Sequence, residues 1–287
     1  MSMKHVSVVI PAKNEAENLV NFLPRLLPQV EGAEIIVVND GSTDNTAEIC
    51  QQHGVKVISH PYSKGNGAAI KTGARAARGE VLVFLDGDGQ HKPEDIPRLL
   101  AELEQGYDMV VGARDKQSQA DSFRAIANGI YNRLSSKITG HEILDLTSGF
   151  RAVYASKFRE FLYLLPNGFS YPTTCTMAFF RAGYSVTYVP IQTEQRLGQS
   201  HINLLKDGLR FLIIIFKVGT LYSPLKIFLP ASAAFFFTGT FYYLYTYLSQ
   251  GRFTNMSAVL FMTAILVFLI GLVSEQVTSL MYKDNDR

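Results

Sequence analysis

Asp86-Gly87-Asp88-Gly89-Gln90 holds two carboxylates two residues apart. An apolar run, Val81-Leu82-Val83-Phe84-Leu85, leads straight into it, as a buried strand does where it leaves a sheet. Like charges brought together at such an exit repel, and a bound cation makes the arrangement favourable. Hard oxygen ligands of this kind suit Mg²⁺ or Mn²⁺, ions that usually also hold phosphate oxygens of a substrate. Gly87 and Gly89 let the backbone come close to a ligand. An Asp-Gly turn at a surface loop has the same composition, so the rest of the chain must decide.

Three further polar clusters follow apolar runs: residues 11–15, 39–44 and 112–114. The elements that position them alternate. Strands are expected at residues 6–10, 34–38, 55–59, 81–85 and 109–111, and helices at 14–27, 45–53, 66–78 and 93–105. Pro24 is expected to distort or end the first helix, and Pro93 to open the fourth. Beyond these, 122–139 reads as a helix, 145–152 as loop and strand, 173–182 as a helix and 186–189 as a strand. Alternation of this kind implies a parallel sheet with right-handed crossovers, in which ligands bind beyond the carboxyl ends of the strands. One ligand along that edge accounts for all four polar clusters. The turn after the first strand, Pro-Ala-Lys-Asn-Glu, lacks the glycine-rich fingerprint of a dinucleotide-binding fold.

The formal net charge of +2 gives no electrostatic sign of a nucleic-acid partner. Cys50 and Cys175 support no disulfide framework and read as buried thiols in a reducing compartment. No signal peptide is expected ahead of the first strand. From Asn203 the chain changes character. Residues 203–221 mix Lys206, Asp207, Arg210 and Lys217 with Leu, Ile and Phe, a pattern suited to a helix lying in a membrane interface. Residues 225–248 and 257–281 are each long enough to cross a bilayer core of roughly 30 Å. The short connector makes them a hairpin. Lys217, Lys226, Lys283 and Arg287 fall on one side and Arg252 on the other, which makes the first side cytoplasmic. Glu275, inside the second span, reads either as a polar contact within an oligomer or as a residue near the boundary.

Pro11-Ala12-Lys13-Asn14-Glu15, Asn39-Asp40-Gly41-Ser42-Thr43-Asp44 and Asp86-Gly87-Asp88-Gly89-Gln90 together resemble the family 2 glycosyltransferases of the GT-A fold. Ser148-Gly149-Phe150-Arg151 and Arg196-Leu197-Gly198-Gln199-Ser200 narrow the resemblance to the dolichyl-phosphate mannose synthase group and, more broadly, to polyisoprenyl-phosphate glycosyltransferases. The fold expected is α/β: a GT-A-type, mostly parallel sheet flanked by helices, then an interfacial helix and a C-terminal transmembrane hairpin. The corresponding domains are 1–202, 203–222 and 223–287.

The resemblance implies roles. Asp86, Asp88 and Gln90 match the metal triplet, for Mg²⁺ or Mn²⁺. Pro11, Ala12, Glu15, Asp40, Lys64, Asp86 and Gly87 match the donor-nucleotide side, with Asp40 accepting from base N–H groups. Asn39 stands where the family usually has a carboxylate. Arg114, Arg124, Asn128, Arg151 and Ser200 match the acceptor-phosphate side, and Asn128 replaces the usual Ser. The catalytic roles implied fall on Asp88, Arg124, Asp145 and Arg196. Asp145 has two readings: a base for a sugar hydroxyl acceptor, or a residue that orients an Arg. A lipid monophosphate is already ionised and needs no base. The activity expected is inverting transfer of one sugar from a nucleotide diphosphate sugar to a polyisoprenyl phosphate at the cytoplasmic membrane face. Transfer to a lipid or polysaccharide hydroxyl, or non-catalytic binding of a nucleotide sugar, are the alternatives. A homo-oligomer stays open.

Overall fold

The computed structural model describes residues 3–114, 122–168, 170–194 and 222–283, with Ile213, Phe216, Gly219 and Thr220; the side chains of Lys4, residues 122–128, Tyr282 and Lys283 lie outside this description. The chain divides into two compact units, Met1–Asp207 and Gly208–Arg287.

The first unit is built on a seven-stranded sheet of order β3-β2-β1-β4-β6-β5-β7. The strands are β1 Val6–Ala12, β2 Glu34–Asn39, β3 Lys56–Ser59, β4 Val81–Phe84, β5 Met109–Arg114, β6 Arg151–Tyr154 and β7 Val186–Ile191. The helices are α1 Ala16–Gln29, α2 Thr46–Gln52, α3 Asn66–Ala76, α4 Ile96–Glu104, α5 Ser122–Thr139, α6 Ala155–Glu160 and α7 Tyr171–Arg181. β1, β2, β3 and β4 run parallel, and so do β5 and β7. β6 is antiparallel to both β4 and β5, with Arg151 opposite Phe84 and Val111. This reversal matters for the site. It makes β6 begin at the edge where the parallel strands end, so Ser148-Gly149-Phe150 arrives beside Asp86 and Arg114.

The sheet strands are near-continuous Val, Ile and Leu because both of their faces are covered. One face packs a core with Leu19, Phe22, Leu23 and Leu26 from α1 and Ile96, Leu99 and Leu103 from α4. Pro24 neither ends nor breaks α1, contrary to the sequence expectation; the helix runs through both Pro24 and Pro28. Both prolines and Val20, whose carbonyl loses its usual donor to Pro24, are exposed, so that carbonyl is open to water. Four buried apolar side chains at about 2 kcal/mol each, about 8 in all, outweigh two prolines at about 3 kcal/mol each. α6 was not anticipated at all. Pro93 opens a 3₁₀ turn, Pro93–Asp95, ahead of α4.

The second unit is a hairpin of α8, Leu225–Gln250, and α9, Asn255–Lys283. Both helices are long and apolar enough to cross a membrane. Their outward faces carry Phe237, Phe241, Leu248, Met262, Val273 and Leu280, all exposed. Polar groups turn inward: the Ser232 hydroxyl donates to the Ala264 carbonyl at 2.8 Å. Glu275 accepts from the Leu225 N–H and the Ser223 hydroxyl, both at 3.2 Å. It therefore satisfies a free N–H at the start of α8 within its own chain. Most of the expected interfacial segment, 203–222, lies outside the described residues.

Candidate functional site

Four loops meet at the carboxyl edge of the sheet. The β1–α1 and β2–α2 loops are tied together by side chains. Asn14, at φ 54, accepts from the Thr43 N–H at 2.8 Å, and its own N–H donates to the Ser42 hydroxyl at 3.0 Å. Asp44 accepts from the Ala16 N–H and the Thr46 N–H, both at 3.1 Å, so one carboxylate caps two helices. Pro11 and Ala12 close β1 and are buried. Glu15 precedes α1; its N–H donates to Thr46 Oγ1 at 3.1 Å and its carboxylate accepts from Asn18 at 2.6 Å. An open cleft of about 610 Å³ lies here, lined by Lys13, Asn14, Glu15, Asp44 and Asn45.

Asp40 directly follows β2 and is 4% exposed. One of its oxygens meets His60 Nδ1 at 2.6 Å and the Lys64 N–H at 2.8 Å; the other accepts the Ser63 hydroxyl and the Gly65 N–H, both at 2.8 Å. The far nitrogen of His60 meets Thr72 Oγ1 at 2.9 Å. Burial pushes the Asp40 carboxyl up, but His60, the two backbone N–H groups and Ser63 outweigh it and hold the value down at about 2. All four lone-pair positions are thus filled from within the chain. A nucleobase N–H has to share or replace one of these contacts. Gly65 sits at φ 101, where a side chain is strained, and an added Cβ would lie 2.5 Å from the Asn167 carbonyl. Lys64 itself is exposed, with its ammonium 5.8 Å from the Tyr62 ring centroid.

The loop after β4 carries Asp86, Gly87, Asp88 and Gln90. The Gln90 N–H donates to Asp88 Oδ1 at 3.1 Å, and the Gln90 carbonyl accepts from Glu194 at 2.9 Å. Gly149 packs against Asp86 so tightly that a Cβ there would sit 2.6 Å from Oδ2. The Tyr171 hydroxyl fixes that glycine through its carbonyl at 3.2 Å. Burial raises the Asp86 carboxyl, but His91, Asn66 and the charge of Arg114 bring it below the ordinary carboxylate range. It is therefore ionised at neutral pH.

Arg114 ends β5. Its Nε and Nη2 grip Asp145 in a fork at 2.7 and 3.0 Å, and Nη2 also reaches Thr147 Oγ1 at 2.6 Å. Asp145 accepts in addition from the N–H groups of Thr147 and Ser148, both at 3.1 Å. The guanidinium and these N–H groups outweigh burial and hold Asp145 below its ordinary value. A carboxylate so committed is a weak base, and it grips the Arg114 guanidinium. Desolvation alone would lower the Arg114 pKa; the charges of Asp145, Asp86 and Asp88 raise it. The guanidinium is thus aimed and partly exposed beside the paired carboxylates.

Arg151 is a correction. Sequence reasoning placed it among phosphate contacts, but it is 0% exposed. It donates to the Ser148 and Pro172 carbonyls, at 2.5 and 3.1 Å, and to Thr176 Oγ1 at 3.3 Å. It locks the start of β6 to α7 inside the core, where no phosphate reaches it. Arg124 and Asn128 fall on α5, with side chains outside the described part. Arg196 and Ser200 lie outside the described residues.

Among the described residues, no three His, Cys, Asp or Glu side chains converge on one point. Two carboxylates and an amide still fit Mg²⁺ or Mn²⁺, which take one or two protein carboxylates and complete their shell with substrate phosphate and water. Sequence reasoning missed His60 and His91. Each follows a strand by one or more residues, and nothing in its spacing marks it as facing Asp40 or Asp86.

The Glycosyl transferase family 2 model matches residues 7–162, and the GtrB C-terminal hairpin model matches residues 223–280. Undecaprenyl-phosphate 4-deoxy-4-formamido-L-arabinose transferase of Proteus mirabilis is 37% identical over 158 residues, 51% of this chain and 48% of that protein. The namesake protein of Edwardsiella ictaluri is 32% identical over 216 residues, 71% of this chain and 65% of the relative. The chain thus spans from about half to about two thirds of the length of these relatives. Glycosyltransferase AglJ of Haloferax volcanii is 27% identical over 96% of this chain and 94% of its own length. Among solved structures, glucosyl-3-phosphoglycerate synthase from Mycobacterium tuberculosis, in complex with Mn²⁺, UDP and glucosyl-3-phosphoglycerate, superposes with a TM-score of 0.60. It is 23% identical, over 73% of this chain and 77% of that one, a likeness of fold.

Proposed function

The chain belongs to glycosyl transferase family 2, and on that premise we propose that it moves one sugar, with inversion, from a nucleotide diphosphate sugar to a polyisoprenyl phosphate at the cytoplasmic membrane face. The donor class is GDP-mannose or a UDP-hexose. The observation that carries the reading is Arg114, aimed by Asp145 and set beside Asp86 and Asp88 at the strand edge. An oriented guanidinium next to paired carboxylates is a site for a cation-bound diphosphate. The names of the relatives supply the acceptor class, and the match to a hairpin family supports a membrane position.

Asp86, Asp88 and Gln90 would hold the divalent cation. When bound, that ion offsets the charge on the diphosphate and helps it leave. Arg114 carries positive charge to the same phosphates without reorganising, because Asp145, Thr147 and the Ser148 turn already fix it. Asp40 holds the loop 63–65 against β2 and so shapes the nucleoside side, with Pro11, Ala12 and Glu15 opposite. Arg124 and Asn128, one helical turn apart on α5, are assigned the acceptor phosphate, and Arg196 and Ser200 the closing contacts by resemblance. The acceptor phosphate is already an anion, so its oxygen attacks the anomeric carbon without a base. Catalysis is then the positioning of two phosphate-bearing substrates against their mutual repulsion.

Arg124→Ala tests this. A charge-assisted contact worth about 1.5–3 kcal/mol predicts a roughly 10- to 200-fold loss of rate on polyprenyl phosphate. Donor affinity by calorimetry stays within about twofold. A donor affinity that collapses together with the rate contradicts the assignment of Arg124 to the acceptor.

A further inference from the structure

His91 follows the carboxylate loop directly and is 5% exposed. Its ring packs on Phe150, with centroids 5.2 Å apart and planes at 39°. Nε2 faces Asp86 Oδ2 at 3.7 Å, and Nδ1 is buried without a hydrogen-bond partner. Two neutral tautomers are available, and the surroundings choose between them. A proton on Nδ1 would bury an unmatched N–H and turn the Nε2 lone pair on a carboxylate. A proton on Nε2 aims a donor at Asp86 and leaves only a buried acceptor, the smaller cost. Phe150 packs on one side of the ring.

Asp86 is boxed in from three directions. Gly149 stands against it, and a Cβ there would sit 2.6 Å from Oδ2 unless the carboxylate moved. Asn66 donates from the start of α3, and His91 faces Oδ2. We propose that His91 is a positioning residue for the divalent-cation site: its Nε2–H steers the Asp86 carboxylate, so that the other oxygen is presented to the ion. Histidines and carboxylates that orient metal ligands in this way are worth 10- to 100-fold in affinity. The inference rests on the reading of Asp86, Asp88 and Gln90 as the cation site.

The test is Mn²⁺ binding to the full chain in lipid nanodiscs, read by the electron paramagnetic resonance signal of free Mn²⁺, with no nucleotide and no turnover. His91→Phe keeps the ring stacking and removes the N–H. It should weaken Mn²⁺ binding about tenfold or more while the melting temperature stays within a few degrees. His91→Gln keeps an N–H at a similar reach and should recover most of that loss. Asp88→Asn serves as the control and should abolish saturable Mn²⁺ binding. Affinity in His91→Phe within twofold of the parent overturns the proposal. So does a pattern in which both His91 variants weaken binding equally and melt early, because that reports packing alone. Parent-like Mn²⁺ binding by Asp88→Asn overturns the cation reading itself, a result distinct from failure of His91 alone.

Discussion

Two strand exits of this molecule carry acidic residues, and they are built differently. At the end of β2, Asp40 is buried and every lone pair meets a donor from its own chain. At the end of β4, Asp86 and Asp88 stand together on a glycine-flanked turn, beside the partly exposed Arg114. The first arrangement is complete and stabilises a loop. The second sets two carboxylates beside a guanidinium that Asp145 already holds. Sequence pattern alone makes the two exits look alike; the number of donors each carboxylate meets within its own chain differs.

The comparison breaks most sharply at Asp88. Asp88→Ala should lower transfer by about a thousandfold, roughly 4 kcal/mol on the rate scale, and EDTA should do the same to the parent. Initial rates with and without chelator check it, and the melting temperature should hardly move. Asp40→Ala should behave in the opposite sense. It strands buried His60 and the partly buried Lys64 and Gly65 N–H groups, at a cost of about 3 kcal/mol. Denaturant unfolding of the catalytic unit reads that loss.

A third variant sharpens the β4 side. Arg114→Lys keeps the charge but loses the fork on Asp145, and should cost about 30-fold in rate with little change in stability. The smallest effect is the pH dependence of the β2 side. Asp40 titrates near 2 when folded, against an ordinary value of 3.8. A lowered folded value stabilises above the ordinary pKa and is lost as pH falls through the folded one. Asp40 should therefore contribute about 2 kcal/mol above pH 4 and lose it between about pH 4 and 2. Stability curves of the parent and Asp40→Asn should converge over that window.

The sequence was most legible where an element is long or uniformly apolar. The helix at 122–139 has the bounds expected, and the hairpin helices extend the expected spans by a few residues. The carboxylate loop, the strand exits and the family were legible because their residues are contiguous. What was not legible depends on tertiary contact. The direction of β6 has no local signal, and it is β6 that brings Gly149 to Asp86. Arg151 looks like any phosphate-binding Arg until its burial is known. The grip of Asp145 on Arg114, 31 residues away in sequence, has no local signal. Pro24 in α1 misled because propensity does not know which face of a helix is wet.

The most direct test is a transfer assay on the full chain in nanodiscs, with radiolabelled GDP-mannose and UDP-hexoses, offering polyprenyl phosphate and the matching polyprenol side by side. The account predicts that one donor class labels polyprenyl phosphate, that the alcohol remains unlabelled, and that EDTA stops the reaction. Equal labelling of the alcohol, or full activity in excess EDTA, would contradict it.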